Sequence, residues 1–354
     1  MKLNEYLKDF LKNGSNVTII GNYYGENIGD NAILKVMLKD LESEKVSIQI
    51  PSKNSEKTKE IFKTGFKNTI TTLDLGSGFI DLLTKSFQSD VFVTGGGTIF
   101  SRFSGKFVYF LPFYLTLMKI FGKKIIFYSI GYEDTTPKII TLMMRFIFVI
   151  SDKISVRDLK SLALLRTLTS KNIDLIEDPV KRIGEYITEE DLKVFDFLFK
   201  ELKIPSSDYI VTAFNYLKNV KIDTSLQNQA VQLVKYLIEK RYKIVLISFA
   251  IDDDLLTNFI YNSLTEFEKQ SVITINQRID VFAIIRIFKN ANFVIAQRLH
   301  SMILSYASGV KYIPISYQLK CEAFMEQIGR EEYIKITDFV KLTNYDELLQ
   351  LAKV

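Results

Sequence analysis

Several residue types that would have named a chemistry are nearly missing. Cys321 is the one cysteine in 354 residues. A single thiol excludes an intrachain disulfide, leaves no thiolate cluster for zinc, and fits a reducing compartment. His300 is the one histidine, so no His/Cys metal cluster can be assembled. Tryptophan is absent. Beside the abundance of Lys, Ile, Asn and Phe, that reads as genomic bias and not as function. A strong excess of either charge is also missing: the net charge is +5 and the pI near 8.9. This favours anionic ligands or an anionic membrane surface, but it is too modest for nucleic acid, and no Lys/Arg block or RNP-like aromatic pattern adds to it. Nucleic acid is therefore not an expected partner.

Long apolar runs are also lacking. Residues 108–121 (VYFLPFYLTLMKIF) and 139–150 (IITLMMRFIFVI) are strongly apolar, yet both fall short of the roughly 20 residues that span a bilayer. Each is interrupted by a basic residue, Lys119 or Arg145. They read as buried helices of a large α/β core, or one of them as a monotopic patch resting on the membrane's inner face. The opening MKLNEYLKDFLKNG has no signal-peptide core, so the expectation is a cytoplasmic protein.

What is present is ordinary for a folded protein: 47% hydrophobic and 25% charged residues, in a chain long enough for two cores. Short β-branched runs alternate with amphipathic helices. Residues 16–20, 46–50, 69–73, 91–94, 124–129 and 153–156 read as strands. A short strand at 173–176 is closed by Pro179, and a charged stretch, 181–203, reads as a connecting helix. A second cycle then sets strands at 209–213, 244–248, 272–275, 293–296 and 312–316, with helices between. Such alternation predicts mostly parallel sheets covered on both faces. The expected fold is two Rossmann-like domains, 1–185 and 186–354, facing a central cleft onto which the carboxyl edges of both sheets open.

Four segments at predicted strand ends carry polar chemistry. In Gly21-Asn22-Tyr23-Tyr24-Gly25-Glu26-Asn27-Ile28-Gly29-Asp30, glycines permit a tight turn and a ligand's close approach, while Asn27 and Asp30 precede a helix. The segment reads equally as a structural turn with Asp30 as helix N-cap, and its spacing is not GxGxxG. Gly95-Gly96-Gly97, after a strand, can form an anion-binding nest or simply a tight turn. In Gln297-Arg298-Leu299-His300-Ser301 the lone histidine brings the side-chain type best suited to proton transfer near neutral pH, and Arg298 offers a planar fork for carboxylate or phosphate. Finally, Arg157-Asp158 and Asp178 follow strands of the first domain, and Lys320 follows the strand after His300. Arg157 and Asp158 read most simply as partners of each other.

In order and spacing the motifs GNYYGENIGDNAIL (21–34), TGGGTIF (94–100), SIG (129–131), SVRDLKS (155–161), EDPV (177–180), QRLHSMILSYASGV (297–310) and ISYQLKCEAFMEQIG (315–329) resemble the polysaccharide pyruvyl transferase family. The resemblance runs from about residue 17 to 330. It implies a fold similar to two-domain, glycosyltransferase-B-like enzymes. It also implies transfer of a pyruvyl group from phosphoenolpyruvate to two hydroxyls of a sugar as a cyclic ketal, the acceptor being a cell-surface polysaccharide or its lipid-linked precursor. His300 matches the family's RLH histidine as general acid, and Arg298 its arginine, gripping the donor's anionic groups. Gly95, Gly96, Gly97, Asn27, Asp30 and Lys320 complete the expected substrate-binding set, and no metal or cofactor is implied.

Two departures stand against the pattern. The aspartate that family members often carry after the triple glycine is missing from Thr98-Ile99-Phe100-Ser101-Arg102. An arginine frequent at the end of the second domain's first strand is replaced by Asn215, with Lys218 further along. Two other readings follow: a nucleotide-sugar glycosyltransferase on the same fold, or a non-catalytic homologue in polysaccharide assembly.

Overall fold

The computed structural model describes the whole chain except residues 63–65, 77–78, 99–106, 134–137, 218–222, 277 and 354. Two compact units emerge. The first comprises 1–25 and 30–179, the second 26–29 and 180–354. Residues 26–29 thus leave the stretch that surrounds them in sequence. The backbone explains why: the Ile28 amide donates to the Phe249 carbonyl at 2.8 Å, the Ile251 amide donates to that of Glu26 at 3.2 Å, and Asn27 bridges Ala250 antiparallel.

Among the described residues, the first unit holds a parallel sheet of seven strands: β1 (Asn16–Ile20), β2 (Ser47–Ser52), β3 (Thr69–Asp74), β4 (Val91–Gly95), β5 (Lys124–Ile130), β6 (Lys153–Val156) and β7 (Asp174–Leu175). Their order is β3-β2-β1-β4-β5-β6-β7. The second unit holds β8 (Tyr209–Ala213), β9 (Lys243–Ile247), β10 (Val272–Ile275), β11 (Phe293–Ala296), β12 (Tyr312–Ser316) and β13 (Ile334–Lys335), ordered β10-β9-β8-β11-β12-β13, again parallel. In both, the order reverses beside the first strand, β1 or β8. That reversal is the topological switch point where open α/β sheets bind ligands at their carboxyl edge.

The central strands are buried on both faces, as β4 and β8 show along their whole length, because helices cover each side. Phe92, Phe127 and Phe148 anchor the first core; Leu246, Ile295 and Ile313 anchor the second. Full burial of such a side chain contributes about 1.5–3 kcal/mol.

One expectation fails. The stretch 181–203 is not a single helix but a 3₁₀ turn, Pro179–Tyr186, followed by two short helices, Glu189–Lys193 and Asp196–Glu201. Thr188 restarts the chain as an N-cap, its hydroxyl accepting from the Asp191 amide while Asp191 reaches back to the Thr188 amide. That capping box ends one element and starts the next.

Candidate functional site

His300 is held in the second unit by shape. It lies in the first turn of the Leu299–Ser308 helix, which leaves the carboxyl end of β11. Its ring rests on Gly29, where an added Cβ would fall 2.0 Å from Nδ1 and 2.7 Å from the histidine's own Cβ. No side chain other than glycine's fits beneath the imidazole. Asn27 shapes this seat by accepting the Gly29 amide on Oδ1 at 2.8 Å. The following helix is Ile28–Asp40, so Asn27 stands at its N-cap and Asp30 lies within its first turn. The N-cap role considered for Asp30 therefore belongs to Asn27.

Arg298 supports that seat from a distance. Its Nε donates to Asp253 Oδ2 at 2.8 Å and its Nη2 to Oδ1 at 2.6 Å, a bidentate pair on a fully buried carboxylate. Asp253 also accepts the Ala250 amide at 3.0 Å and the Tyr216 amide at 3.0 Å. Burial alone would push the guanidinium pKa down, but the adjoining Asp253 charge outweighs it and holds the group above its usual value. Arg278 fixes the same loop through the Ser248 carbonyl at 2.6 Å, the Ala250 carbonyl at 3.3 Å and an ion pair with Asp254. A continuous path results: Arg298 to Asp253, Asp253 to the 249–251 backbone, that backbone to residues 26–28, and Gly29 to His300.

Gln297 adds a buried amide. Its Oε1 accepts the Asn215 amide at 2.9 Å, while its Nε2 is buried without a hydrogen-bond partner among the described residues. Thr212, at the end of β8, buries its hydroxyl in the same way. Lys320 places its ammonium 5.6 Å from the centre of the Tyr317 ring.

The first unit gathers a second polar cluster at its own sheet edge. Gly96 and Gly97 take left-handed φ of +63° and +74°, which only glycine adopts freely. A Cβ on Gly96 would meet Ile33 at 2.0 Å, and one on Gly95 would meet Met37 at 2.6 Å. The triple glycine therefore lets the Ile28–Asp40 helix press onto the turn. The Gly96 amide is used by the Tyr128 carbonyl at 3.0 Å, and the Gly97 carbonyl accepts from Gly131 at 2.9 Å. Asp30 reaches this turn: its Oδ1 would lie 3.4 Å from a Cβ on Gly97.

Arg157 lies behind the turn, almost wholly buried, donating to Asp178 at 3.2 Å and to Thr98 Oγ1 at 3.2 Å. Its contact with Asp158 is longer, 3.5 Å. Asp158 is chiefly a helix cap, accepting the Ser161 amide at 2.7 Å. The pairing expected of these neighbours is thus secondary to a longer-range one. The Tyr23 hydroxyl donates to the Gly95 carbonyl; burial first, then the nearby Asp30 and Asp178 charges, push its pKa well up.

Sequence reading had no role for Asp253, although Asp252-Asp253-Asp254 a short way after β9 was a visible signal. It also gave Gln297 and Gly29 no individual function. Residues 99–102 and Lys218, which bear on the two departures from the family pattern, lie outside the described residues. Among those described, no group of three or more His, Cys, Asp or Glu is placed to hold a metal ion.

A sequence profile for polysaccharide pyruvyl transferase matches residues 27–318. That is more than four-fifths of the chain, from Asn27 through His300 to Gln318. The chain belongs to the polysaccharide pyruvyl transferase family. Lys320 falls just beyond the matched segment. No curated protein matches the sequence.

Solved structures resemble this member of the family in fold. UDP-GlcNAc 2-epimerase from Neisseria meningitidis, bound to UDP-GlcNAc, has a TM-score of 0.62 at 12% identity, covering 96% of this chain and 93% of its own. The Methanocaldococcus jannaschii epimerase in complex with UDP-GlcNAc and UDP gives 0.61 at 16%, covering 96% and 92%. The wall teichoic acid polymerase TagF gives 0.52 at 13%, covering 98% and 83%. Identities this low carry the fold alone.

Proposed function

We propose that this transferase moves the pyruvyl group of phosphoenolpyruvate onto two hydroxyls of a sugar in a cell-surface polysaccharide or its lipid-linked precursor, closing a cyclic ketal. The observation that carries the reading is the Gly29 seat beneath the chain's one imidazole, within a sequence that belongs to the pyruvyl transferase family. His300 delivers a proton to the donor's methylene carbon, which becomes the methyl group. The adjacent carbon gains cationic character and is attacked by the first sugar hydroxyl. Its bond to the phosphate oxygen breaks, phosphate leaves with the first hydroxyl's proton, and the second hydroxyl closes the ring as its proton returns to the His300 imidazole.

Arg298 serves this step in two ways. Nε and Nη2 hold Asp253 and, through it, the seat; Nη1 meets the donor's anionic groups. Lys320 adds positive charge in the second unit. In the first, Gly95, Gly96 and Gly97 with Asp30 bind substrate at the switch point.

Calorimetric titration of phosphoenolpyruvate tests the donor. Saturable binding is expected, with His300→Gln and Gly29→Ala retaining it within a few-fold while each lowers transfer by about 10²-fold, the scale of losing or misplacing a general acid. A chain that ignores phosphoenolpyruvate but binds a nucleotide sugar would overturn the proposal in favour of glycosyl transfer.

A further inference from the structure

The outward sides of two helices in the first unit are apolar where a surface helix carries its charges. The Lys138–Ile150 helix buries Ile140, Met144, Ile147 and Phe148. Its other side exposes Ile139, Leu142, Phe146 and Val149, at 61%, 67%, 55% and 56%. The Phe107–Ile120 helix packs beside it, buries Leu111, Tyr114, Leu115 and Met118 in the same core, and exposes Phe113 at 56% and Ile120 at 74%. Phe121, just past its end, is half exposed and meets Phe87 edge-on at 4.6 Å. Isolated exposed apolar residues are unremarked on any surface, but a continuous set on adjoining helices marks a contact surface.

Charge selects the partner. The two helices contain Lys119, Lys138 and Arg145 and neither Asp nor Glu, and Lys123 and Lys124 follow the first of them. Asp152 offsets only one end, bonding Lys119 at 2.6 Å and Lys124 at 3.4 Å. Lys138 and Arg145 are exposed beside the apolar stripe. A second copy docked by twofold symmetry would set this positive rim against itself. A lipid surface with anionic headgroups complements both features, taking the apolar side chains into the acyl boundary and the basic ones among the phosphates. No helix among the described residues is long and apolar enough to cross a membrane, so the contact lies in the interfacial plane.

We propose that this two-helix face docks the first unit on an anionic lipid bilayer. The proposal does not depend on which donor the enzyme uses. Flotation with phosphatidylcholine vesicles, with and without one-quarter phosphatidylglycerol, at 50 and 300 mM salt tests it. The full chain should float with the anionic vesicles, several-fold less at high salt, and remain behind with the neutral ones. Leu142→Glu with Phe146→Glu should reduce flotation at least tenfold while leaving the thermal transition in place. Phe113→Glu, on the neighbouring helix, provides an independent loss should that pair fail to fold. A chain that stays in solution with anionic vesicles, or variants that float like the wild type, would overturn it. So would a dimer seen by light scattering that the double variant dissociates, since the face would then belong to a second copy.

Discussion

Arg298 shows how a residue's charge and its usefulness separate. Both carboxylate oxygens of Asp253 are bound by its guanidinium and by two backbone amides, so removing the arginine leaves a buried anion partly uncompensated. Breaking such a pair costs about 3–5 kcal/mol. Arg298→Ala is expected to lower stability on that scale in urea titrations. Combining it with Asp253→Ala should cost clearly less than the sum of the two single changes, because the partners are coupled. Strict additivity would show that the pair contributes nothing to holding the 249–251 loop. Arg298→Lys should not rescue, since a lone ammonium cannot reproduce the two-point contact.

At the scale of elements, the Phe107–Ile120 helix and β5 are tied to the segment before β6 by one carboxylate. Asp152 is partly buried, which acts to raise its pKa. The Lys119 hydrogen bond, the Ile125 amide and the two lysine charges outweigh this and hold it below the ordinary carboxylate value. A depressed folded-state pKa stabilises the native state above the unfolded value of about 4, and the benefit fades as pH falls through the lower folded value. Thermal unfolding from pH 7 to 3 should therefore show an acid limb that Asp152→Asn flattens. An unchanged limb would assign acid sensitivity to other groups. Element boundaries also show what local sequence can carry. The strands 153–156, 209–213, 272–275, 293–296 and 312–316 coincide with those observed, because β-branched runs bounded by turns encode them locally. The 181–203 stretch broke into pieces at Thr188, where a cap competes with helix propagation.

At the scale of the whole molecule, each unit has a buried apolar cluster of its own among the described residues. Phe127 is buried in the first and Ile295 in the second, both without exposure. Phe127→Ala is expected to cost about 3–5 kcal/mol and Ile295→Ala about 2–5 kcal/mol. With no shared partner, their effects should add within about 0.5 kcal/mol in denaturant titrations. A large non-additive term would show that the cores answer to each other.

Composition and periodicity were enough to set the fold class, since alternating buried strands and amphipathic helices pack as parallel layers. The order of short motifs was enough to set the family. The placement of the lone histidine after β11 and of the triple glycine at the end of β4 was also legible, because each follows a run of apolar, largely β-branched residues that marks its strand locally. Tertiary structure alone decided the rest. Asp253 lies 45 residues from Arg298, and Gly29 is far earlier in the chain than the imidazole it seats. Asp178 gives Arg157 a closer partner, 21 residues away, beside its sequence neighbour Asp158. Local patterning specifies which backbone a segment adopts. It does not specify which distant side chain will satisfy a buried charge or leave room for a ring, because both are settled only when separate strands are brought side by side.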